Sequence, residues 1–141
     1  MQLQTETQKN EWWQVYERIG EVLKEFIDWY IWRFNMPVDI EIRTDYVRLG
    51  IYWNTEDETE SCFRTCVNES EKEGVVEEIG EEKVEERCYD ACREDITVDT
   101  NSTFSEVRMK LHEVLDKYGF KYDWEEFWEG DIKYLNFLIK F

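Results

Sequence analysis

The sequence predicts an α+β fold, with one antiparallel four-stranded sheet covered on one face by two amphipathic helices. Three observations predict it: two segments carry apolar residues at helical spacing, two segments alternate apolar and polar residues as hairpins do, and an acidic segment with four cysteines separates the two halves. The order is therefore αββ, insert, αββ. We predict a single core domain, residues 1–54 and 97–141, interrupted by an acidic helical hairpin at 55–96.

The first helix is predicted over residues 11–34, where apolar side chains recur every three or four positions. Pro37 ends it, because proline lacks the N–H group that a continuing helix needs. Extra apolar residues widen the apolar face near both ends, so the helix is either nearly surrounded by the protein or partly exposed to a partner. The main face comprises Trp12, Val15, Tyr16, Ile19, Val22, Leu23, Phe26, Ile27, Tyr30 and Phe34, and the extra residues are Trp13, Trp29, Ile31 and Trp32.

The first hairpin is predicted directly after Pro37. Residues 38–42 and 46–53 alternate apolar and polar side chains, which is the period of a strand with one buried face. Thr44 and Asp45 lie between the two runs and are typical turn residues. These strands form the first half of the predicted sheet.

The second helix and the second hairpin complete the predicted core. A capping box at residues 103–106 begins the helix, and Gly119 ends it. Residues 120–124 and 135–141 then alternate apolar and polar side chains, with a polar turn near Gly130.

Four cysteines predict a cross-linked helical hairpin between the two halves. Cys62 and Cys66, like Cys88 and Cys92, are four residues apart, so each pair lies on one face of a helix. If the two helices are antiparallel, Cys62 faces Cys92 and Cys66 faces Cys88. Both pairings are centred on residue 77, which is also the midpoint of two glycines suited to a turn, Gly74 and Gly80.

Disulfides are the favoured interpretation of these cysteines. The insert carries only two aromatic residues, Phe63 and Tyr89, so it has little core of its own, and a disulfide contributes about 2 to 4 kcal/mol by closing a loop. A tetrathiolate zinc site would use the same four residues and is the alternative. With disulfides favoured, we expect neither a metal nor another cofactor.

Charge is concentrated in the insert. Residues 55–96 hold 16 Asp and Glu against 5 Lys and Arg, so they carry −11 of the total −17 and leave −6 for the other 99 residues. On one continuous helix, six carboxylates over ten residues give about one charge per 2.5 Å, between the values of about 1.7 Å for duplex DNA and 3.4 Å for one strand. We predict that this surface imitates a nucleic acid; a solvated helix is the alternative. The residues are Glu77, Glu78, Glu81, Glu82, Glu85 and Glu86.

The same charge indicates the kind of partner. Binding to nucleic acid or to an anionic membrane requires clustered Lys and Arg, so a net charge of −17 argues against both. We expect a basic protein surface instead. Trp124 and Trp128 are predicted to contribute to partner binding, since aromatic and acidic residues alternate around them and Trp is enriched at binding hot spots.

No catalytic motif is recognisable. His112 is the only histidine, and its helical position is typical of a surface or boundary residue. The sequence has no Gly-rich phosphate loop, no Gly-x-Ser-x-Gly motif and no His-Glu-x-x-His helix. Acidic pairs beside the tryptophans carry no specificity in a chain with 34 carboxylates. We therefore do not expect an enzyme.

The expected location is the cytoplasm. The first residues lack the basic patch and apolar run of a signal peptide, and no run approaches the roughly 18 apolar residues of a membrane span. Disulfides in such a protein point to a hyperthermophilic host, where intracellular disulfides are common.

Two resemblances accompany these patterns. The four cysteines resemble the twin Cys-x-x-x-Cys motif of small mitochondrial intermembrane-space chaperones, but the gap of 21 residues is longer than in that family and no chaperone function is carried over. The acidic, Glu-, Ile-, Tyr- and Trp-rich composition, with residues 122–129 followed by a terminal strand at 131–141, resembles small orphan proteins of viruses that infect hyperthermophilic archaea. Some of those are acidic anti-CRISPR proteins, which implies a viral protein in the cytoplasm of its host.

The sequence thus predicts a non-enzymatic acidic interaction protein that blocks a nucleic-acid-binding or defence complex of a host. The alternative is a structural or assembly protein that forms a homodimer through its Trp-rich first helix, with Trp12, Trp13, Trp29 and Trp32 at the interface.

Overall fold

The computed structural model describes the backbone of residues 2–34 and 36–141 and the side chains of residues 17–34 and 36–141. The described residues form four helices and four strands, and their order differs from the expected one in two respects: the insert contains an additional short helix, and its second arm is continuous with the second core helix. They are α1 (Gln2–Arg33), β1 (Val38–Ile42), β2 (Tyr46–Asn54), α2 (Glu56–Lys72), α3 (Val75–Ile79), α4 (Glu81–Lys117), β3 (Lys121–Glu129) and β4 (Ile132–Lys140).

The sheet has the strand order β1-β2-β4-β3, and every neighbouring pair is antiparallel. Each predicted hairpin is present, and β2 pairs with β4 to join the two halves. Leu49 is opposite Phe137, which in turn is opposite Trp124, so these three residues share one face. The predicted α+β class is confirmed.

A single face of the sheet is buried beneath α1 and α4. The two helices are antiparallel, with Arg33 paired to Glu106 at one end and Lys117 paired to Glu25 at the other. The predicted burial of alternate residues is confirmed in the two central strands, where Val47, Leu49 and Ile51 of β2 and every second residue of β4 are buried. In the edge strands it is not, because Ile40, Ile42 and Trp124 are exposed. The core comprises Ile19, Val22, Phe26, Tyr30, Val47, Leu49, Ile51, Phe104, Val107, Leu111, Val114, Leu115, Leu135, Phe137 and Ile139.

The first helix is longer than predicted at its start and ends close to the expected place. It begins at Gln2 rather than residue 11, and its last residue, Arg33, is four positions before Pro37. The hydroxyl of Tyr30 donates a hydrogen bond of 2.9 Å to the backbone oxygen of Met36, which fixes the connection to β1. The side chains of Trp12 and Trp13 lie outside the described residues.

The predicted start of the second core helix is wrong. Residues 103–106 do not cap a helix but lie inside α4, which runs without interruption from Glu81 to Lys117. The hydroxyl of Thr103 donates to the backbone oxygen of Asp99, one turn back in the same helix. The helix continues because no glycine or proline interrupts residues 81–117. The predicted boundary between insert and core, at residues 96 and 97, therefore lies in the middle of this helix.

Candidate functional site

Two disulfides join α2 to the first half of α4. Cys62 is bonded to Cys92 and Cys66 to Cys88, with S–S distances of 2.00 and 2.03 Å. The corresponding Cα atoms are 5.8 and 5.7 Å apart, as in ordinary disulfides. The predicted pairing is confirmed, and all four sulfurs are used, so a tetrathiolate zinc site is not formed. The part of the chain that the structure describes contains no other cluster of His, Cys, Asp or Glu suited to a metal ion.

The turn of the hairpin lies between the two glycines that the sequence indicates. Gly74 has φ +76° and Gly80 has φ +90°, values that residues with a side chain rarely adopt. Between them lies α3, a single short helix that joins α2 to α4. The chain thus reverses direction around residue 77, the shared midpoint of the two disulfide pairings.

Gly80 also divides the predicted row of glutamates. Glu77 and Glu78 belong to α3, whereas Glu81, Glu82 and the remaining two belong to α4. With φ +90° and ψ 152°, Gly80 is far from helical geometry, so the six carboxylates do not follow one helix. The prediction of one continuous helix that carries all six carboxylates, with one charge per 2.5 Å, is therefore wrong.

A narrow apolar seam lies between the two arms of the hairpin. On α4 the inward residues Val84, Cys88 and Cys92 are buried, while no residue of α2 is fully buried. None of these residues belongs to the main core cluster. The hairpin is therefore held by two disulfides and a thin seam, as its shortage of aromatic residues suggests. All six predicted glutamates are exposed on its outside.

The turn end of the hairpin, residues 71–82, forms a strongly acidic region that we call the acidic tip. It contains six exposed carboxylates and a single cation, Lys72. None of these carboxylates takes part in an ion pair among the described residues. The acidic tip comprises Glu71, Glu73, Glu77, Glu78, Glu81 and Glu82.

A row of acidic residues continues from the acidic tip along α4. Glu82, Glu86, Asp90 and Glu94 are four residues apart on one helix, and all are exposed. The sequence prediction stopped at Glu86 and missed Asp90 and Glu94, although the same spacing of four residues identifies them. We call these four residues the α4 acidic row. Their neighbours in sequence include Lys83, Arg87 and Arg93, but none of these cations forms an ion pair within the described chain.

Trp124 and Trp128 do not lie with the glutamates. Both are on the helix-covered side of β3, opposite Phe137 and Lys133 of β4. Trp128 is partly buried, and its indole N–H donates a 2.9 Å hydrogen bond to the side-chain oxygen of Asn101. Asn101 is 15 residues beyond Glu86, or about 22 Å along α4. Trp124 is 46% exposed at the edge of the sheet, so it is the accessible one of the two.

A buried lysine forms a polar cluster between α4 and the sheet. Lys133 is only 5% exposed, and its Nζ is 3.4 Å from a carboxylate oxygen of Glu126. Arg108 donates to both oxygens of the same carboxylate at 3.1 Å. Lys133 also lies 5.5 Å from the ring centre of Trp128. No sequence motif predicts this cluster, although the alternation of β4 places Lys133 on the same face as Leu135.

His112 belongs to the edge of the core. Its Nδ1 is 2.6 Å from the hydroxyl oxygen of Tyr122, and that hydroxyl donates its proton to Asp116. His112 Nδ1 must therefore be the donor to Tyr122. Burial lowers the pKa of His112, against the attraction of Asp116, which raises it. Burial, with the hydrogen bond to Asp116, raises the pKa of Tyr122 to about 12. Packing against Trp124 and Phe137 makes His112 the boundary residue that the sequence predicts.

None of the described helices has an apolar stretch long enough to cross a bilayer. Comparisons of this chain with protein-family models, with curated proteins and with solved structures find no match.

Proposed function

We propose that this protein is a non-enzymatic interaction protein that binds a basic protein surface of a host complex and competes there with nucleic acid. The complex would be one that binds nucleic acid or serves in defence, and the site of action would be the host cytoplasm. The observation that carries the proposal is the set of exposed carboxylates on the disulfide-linked hairpin, of which only Glu60 forms an ion pair among the described side chains.

Most acidic residues of the hairpin are not ion-paired. Within residues 55–96, all of which the structure describes, one ion pair is formed, between Arg64 and Glu60 at 2.5 Å. The other acidic residues of the hairpin form no ion pair with the described residues, so their electrostatic field extends into the solvent. Charge of one sign on an exposed surface raises the rate of encounter with a basic partner, and the effect weakens with salt. The acidic tip and the α4 acidic row have this property.

The acidic residues of the hairpin are held in a fixed position relative to the sheet. Thr55, just before α2, donates from its backbone N–H and its hydroxyl to the backbone oxygen of Asp131, at 2.9 and 2.8 Å. From this anchor, the 17 residues of α2 extend about 25 Å to the acidic tip. Two disulfides hold α2 against α4 along the way. A rigid presentation avoids the entropy that a flexible acidic segment would lose on binding.

The spacing of the α4 acidic row supports imitation of a nucleic acid. Successive carboxylates of the α4 acidic row are four residues apart, which is about 6 Å along the helix axis. A groove that binds a row of phosphates offers Lys and Arg side chains in a row, and a regularly spaced row of carboxylates that winds slowly around α4 suits such a groove. Lys83 and Arg87 reduce the net charge beside this row, so the acidic tip contributes the larger field.

Charge reversal with a matched control tests the proposal. The variant E78K/E82K/E86K should lose capture of its partner from a lysate of the host, and the wild-type capture should weaken between low and high salt. The control E21K/D28K/E129K makes the same change in net charge at exposed positions outside the hairpin, and it should retain the partner.

The captured complex then provides the decisive measurement. Wild-type protein should displace labelled nucleic acid from it, and E78K/E82K/E86K should not. If both triple variants bind equally well, or if the protein and the nucleic acid bind together, the proposal is wrong. Circular dichroism of each variant verifies that the fold is retained.

Assembly through α1 is the second candidate, and the exposure of apolar residues near the end of α1 favours it. Trp32 is 82% exposed and Ile31 is 70% exposed. Trp29, in contrast, packs internally against Phe26 and Phe34. Sedimentation of wild-type protein and of W32K decides between the candidates: a dimer that W32K converts to a monomer would favour assembly.

A further inference from the structure

An open groove on α2 runs beside the two disulfides. It has a volume of about 700 Å³ and is lined by Cys62 and Cys66, the disulfide-bonded cysteines of α2. A groove of this size accommodates a small molecule. We call it the α2 groove. Its other lining residues are Asp57, Glu58, Ser61, Thr65 and Glu69 of α2 and Ile96 of α4.

The two ends of each disulfide differ in exposure. On α4, Cys88 is 3% exposed and Cys92 is 2% exposed. On α2, Cys62 and Cys66 are partly exposed, and both line the α2 groove. A disulfide is cleaved when a thiolate attacks one of its two sulfurs, and the rate depends on access to that sulfur. The sulfurs of Cys62 and Cys66 are therefore the accessible targets, and those of Cys88 and Cys92 are the leaving groups.

Three carboxylates line the α2 groove. They belong to Asp57, Glu58 and Glu69, and none of them forms an ion pair among the described residues. Glu58 accepts a hydrogen bond of 2.5 Å from the indole N–H of Trp53, an uncharged donor that does not neutralise it. The space beside the accessible sulfurs is therefore strongly negative.

The cations of the hairpin lie elsewhere. Residues 55–96 are all described, and none of their five Lys and Arg lines the α2 groove. Arg64 is paired with Glu60 at 2.5 Å. Arg93 lines a separate pocket beside Thr59. The other three are Lys72, Lys83 and Arg87. An anionic thiol that enters the α2 groove is consequently repelled, whereas a cationic thiol is attracted.

We propose that the α2 groove is the site at which the disulfides undergo thiol–disulfide exchange, and that its carboxylates select cationic thiols over anionic ones. Glutathione carries a net negative charge, so the groove protects the cross-links from it. The reductant that the groove admits is a dithiol with positive charge near its reactive sulfur. This inference concerns the disulfides alone and does not depend on the proposed function.

The exchange conserves atoms and electrons. The first thiolate of the dithiol forms a bond to Sγ of Cys66, the Cys66–Cys88 bond breaks, and its electron pair leaves with Sγ of Cys88, which takes a proton. The second thiolate of the dithiol then attacks the first sulfur of the reductant and releases the Cys66 thiolate, which takes another proton. The dithiol is oxidised to a disulfide, and the protein is reduced to two thiols. Cys62 and Cys92 react in the same way.

Three small thiols test the selection by charge. Thiocholine, mercaptoethanol and mercaptoethanesulfonate have the same two-carbon chain but carry a cationic, a neutral and an anionic group. Each rate of disulfide cleavage is divided by the rate of the same thiol with hydroxyethyl disulfide, which removes differences in thiol reactivity. For the wild-type protein, the corrected rate should be about tenfold higher with thiocholine than with mercaptoethanesulfonate at low salt. The two rates should converge to within about threefold in about 1 M salt.

A variant locates the selection in the α2 groove. D57N/E58Q/E69Q removes the three carboxylates and should reduce the ratio of corrected rates at low salt to about threefold or less. The ratio is measured because D57N and E58Q also weaken the start of α2, which changes the rate with every thiol.

A matched control separates the groove from the net charge of the chain. E21Q/D28N/D39N makes the same change in net charge at exposed positions outside the hairpin. This control should keep the ratio near the wild-type value of about tenfold. Circular dichroism of both triple variants verifies that the fold is retained.

Peptide mapping identifies the attacked sulfur. The reaction of wild-type protein with thiocholine is stopped early with acid, free thiols are alkylated, and the mixed disulfides are located by mass spectrometry. Thiocholine should be attached to Cys62 or Cys66, and the alkylated thiol should be Cys88 or Cys92.

Three outcomes would overturn the inference. The first is a wild-type protein that reacts equally with the cationic and the anionic thiol at low salt. The second is a ratio that D57N/E58Q/E69Q leaves as high as the control does, because the whole chain rather than the groove would then select the thiol. The third is attachment of thiocholine to Cys88 or Cys92 as often as to the cysteines of α2, which would mean that the hairpin opens before exchange.

Discussion

The two halves of α4 are stabilised in different ways. Residues 104–117 contribute five fully buried side chains to the main core, whereas the half in the hairpin buries Val84 and two disulfide-bonded cysteines. Ion pairs follow the same division: among the described residues, four ion pairs involve residues 104–117 and none involves residues 81–103. Covalent bonds thus replace a core where the surface is most acidic, because such a surface lacks the apolar residues that a core requires.

The largest effect is expected in the half of α4 that belongs to the main core, residues 104–117. F104A should lower the free energy of unfolding by about 3 to 5 kcal/mol, because Phe104 is fully buried and its removal leaves a cavity. V84A, in the hairpin half, removes two methyl groups and should cost about 1.5 kcal/mol at most. Urea denaturation measures both. Equal losses would mean that the two halves of α4 do not differ as described.

The second prediction tests the hairpin half. The double variant C66A/C88A should lower the local stability of the hairpin by about 3 kcal/mol, because a loop of this length is no longer closed. Hydrogen exchange should accelerate in α2, α3 and residues 81–97, while residues 104–117 keep their protection. Reduction of both disulfides should accelerate hydrogen exchange further in the same residues. If protection were lost uniformly along α4, the two halves of this helix would not be stabilised in different ways.

The third prediction concerns charge inside the core half. K133M removes the buried ammonium group from Glu126, which retains Arg108, so the expected loss is about 1 to 2 kcal/mol. The control K140M removes an exposed lysine that pairs with Asp123, and it should cost less than about 0.5 kcal/mol. Thermal unfolding distinguishes the two. A stabilised K133M would show that the desolvation of Lys133 exceeds its attraction to Glu126.

The smallest effect is a pH dependence. Since burial lowers the pKa of His112 below its ordinary value of 6.5, the folded protein binds this proton less readily than the unfolded chain. Stability is thus greatest above pH 6.5 and falls as the pH drops through the unfolded pKa. Wild-type protein should lose more stability between pH 7.5 and 5.5 than H112Q does. Arg108 adds to this effect and Asp116 opposes it, so identical slopes would mean that Asp116 cancels the burial.

Local patterns in the sequence predict much of this fold. Alternating residues in the four strands, the apolar period of α1 and the spacing of Cys62, Cys66, Cys88 and Cys92 each depend on neighbours a few positions away. The pairing of the cysteines follows because two antiparallel helices leave one symmetric solution, centred between Gly74 and Gly80. Such features do not require knowledge of distant contacts.

The errors arise where a local signal competes with its surroundings. The capping box at residues 103–106 is a valid helix start by itself, but the helix that precedes it continues, so its residues become internal. Gly80 has the opposite effect, because a single φ of +90° separates glutamates that are evenly spaced in sequence. The predicted role of Trp128 in partner binding stays a prediction, and the position of its side chain depends on the pairing of β3 with β4 and on Asn101, which local patterns do not reveal.

The uninterrupted course of α4 also has a mechanical consequence. Its 37 residues form a rod about 55 Å long without the glycine or proline at which long helices usually bend. A torque applied at its first turn is therefore transmitted to the residues that line the sheet. A protein that binds the first turn of α4 would therefore strain the packing around Phe104 and Leu111. These two residues lie about 35 to 45 Å from that turn along the helix axis.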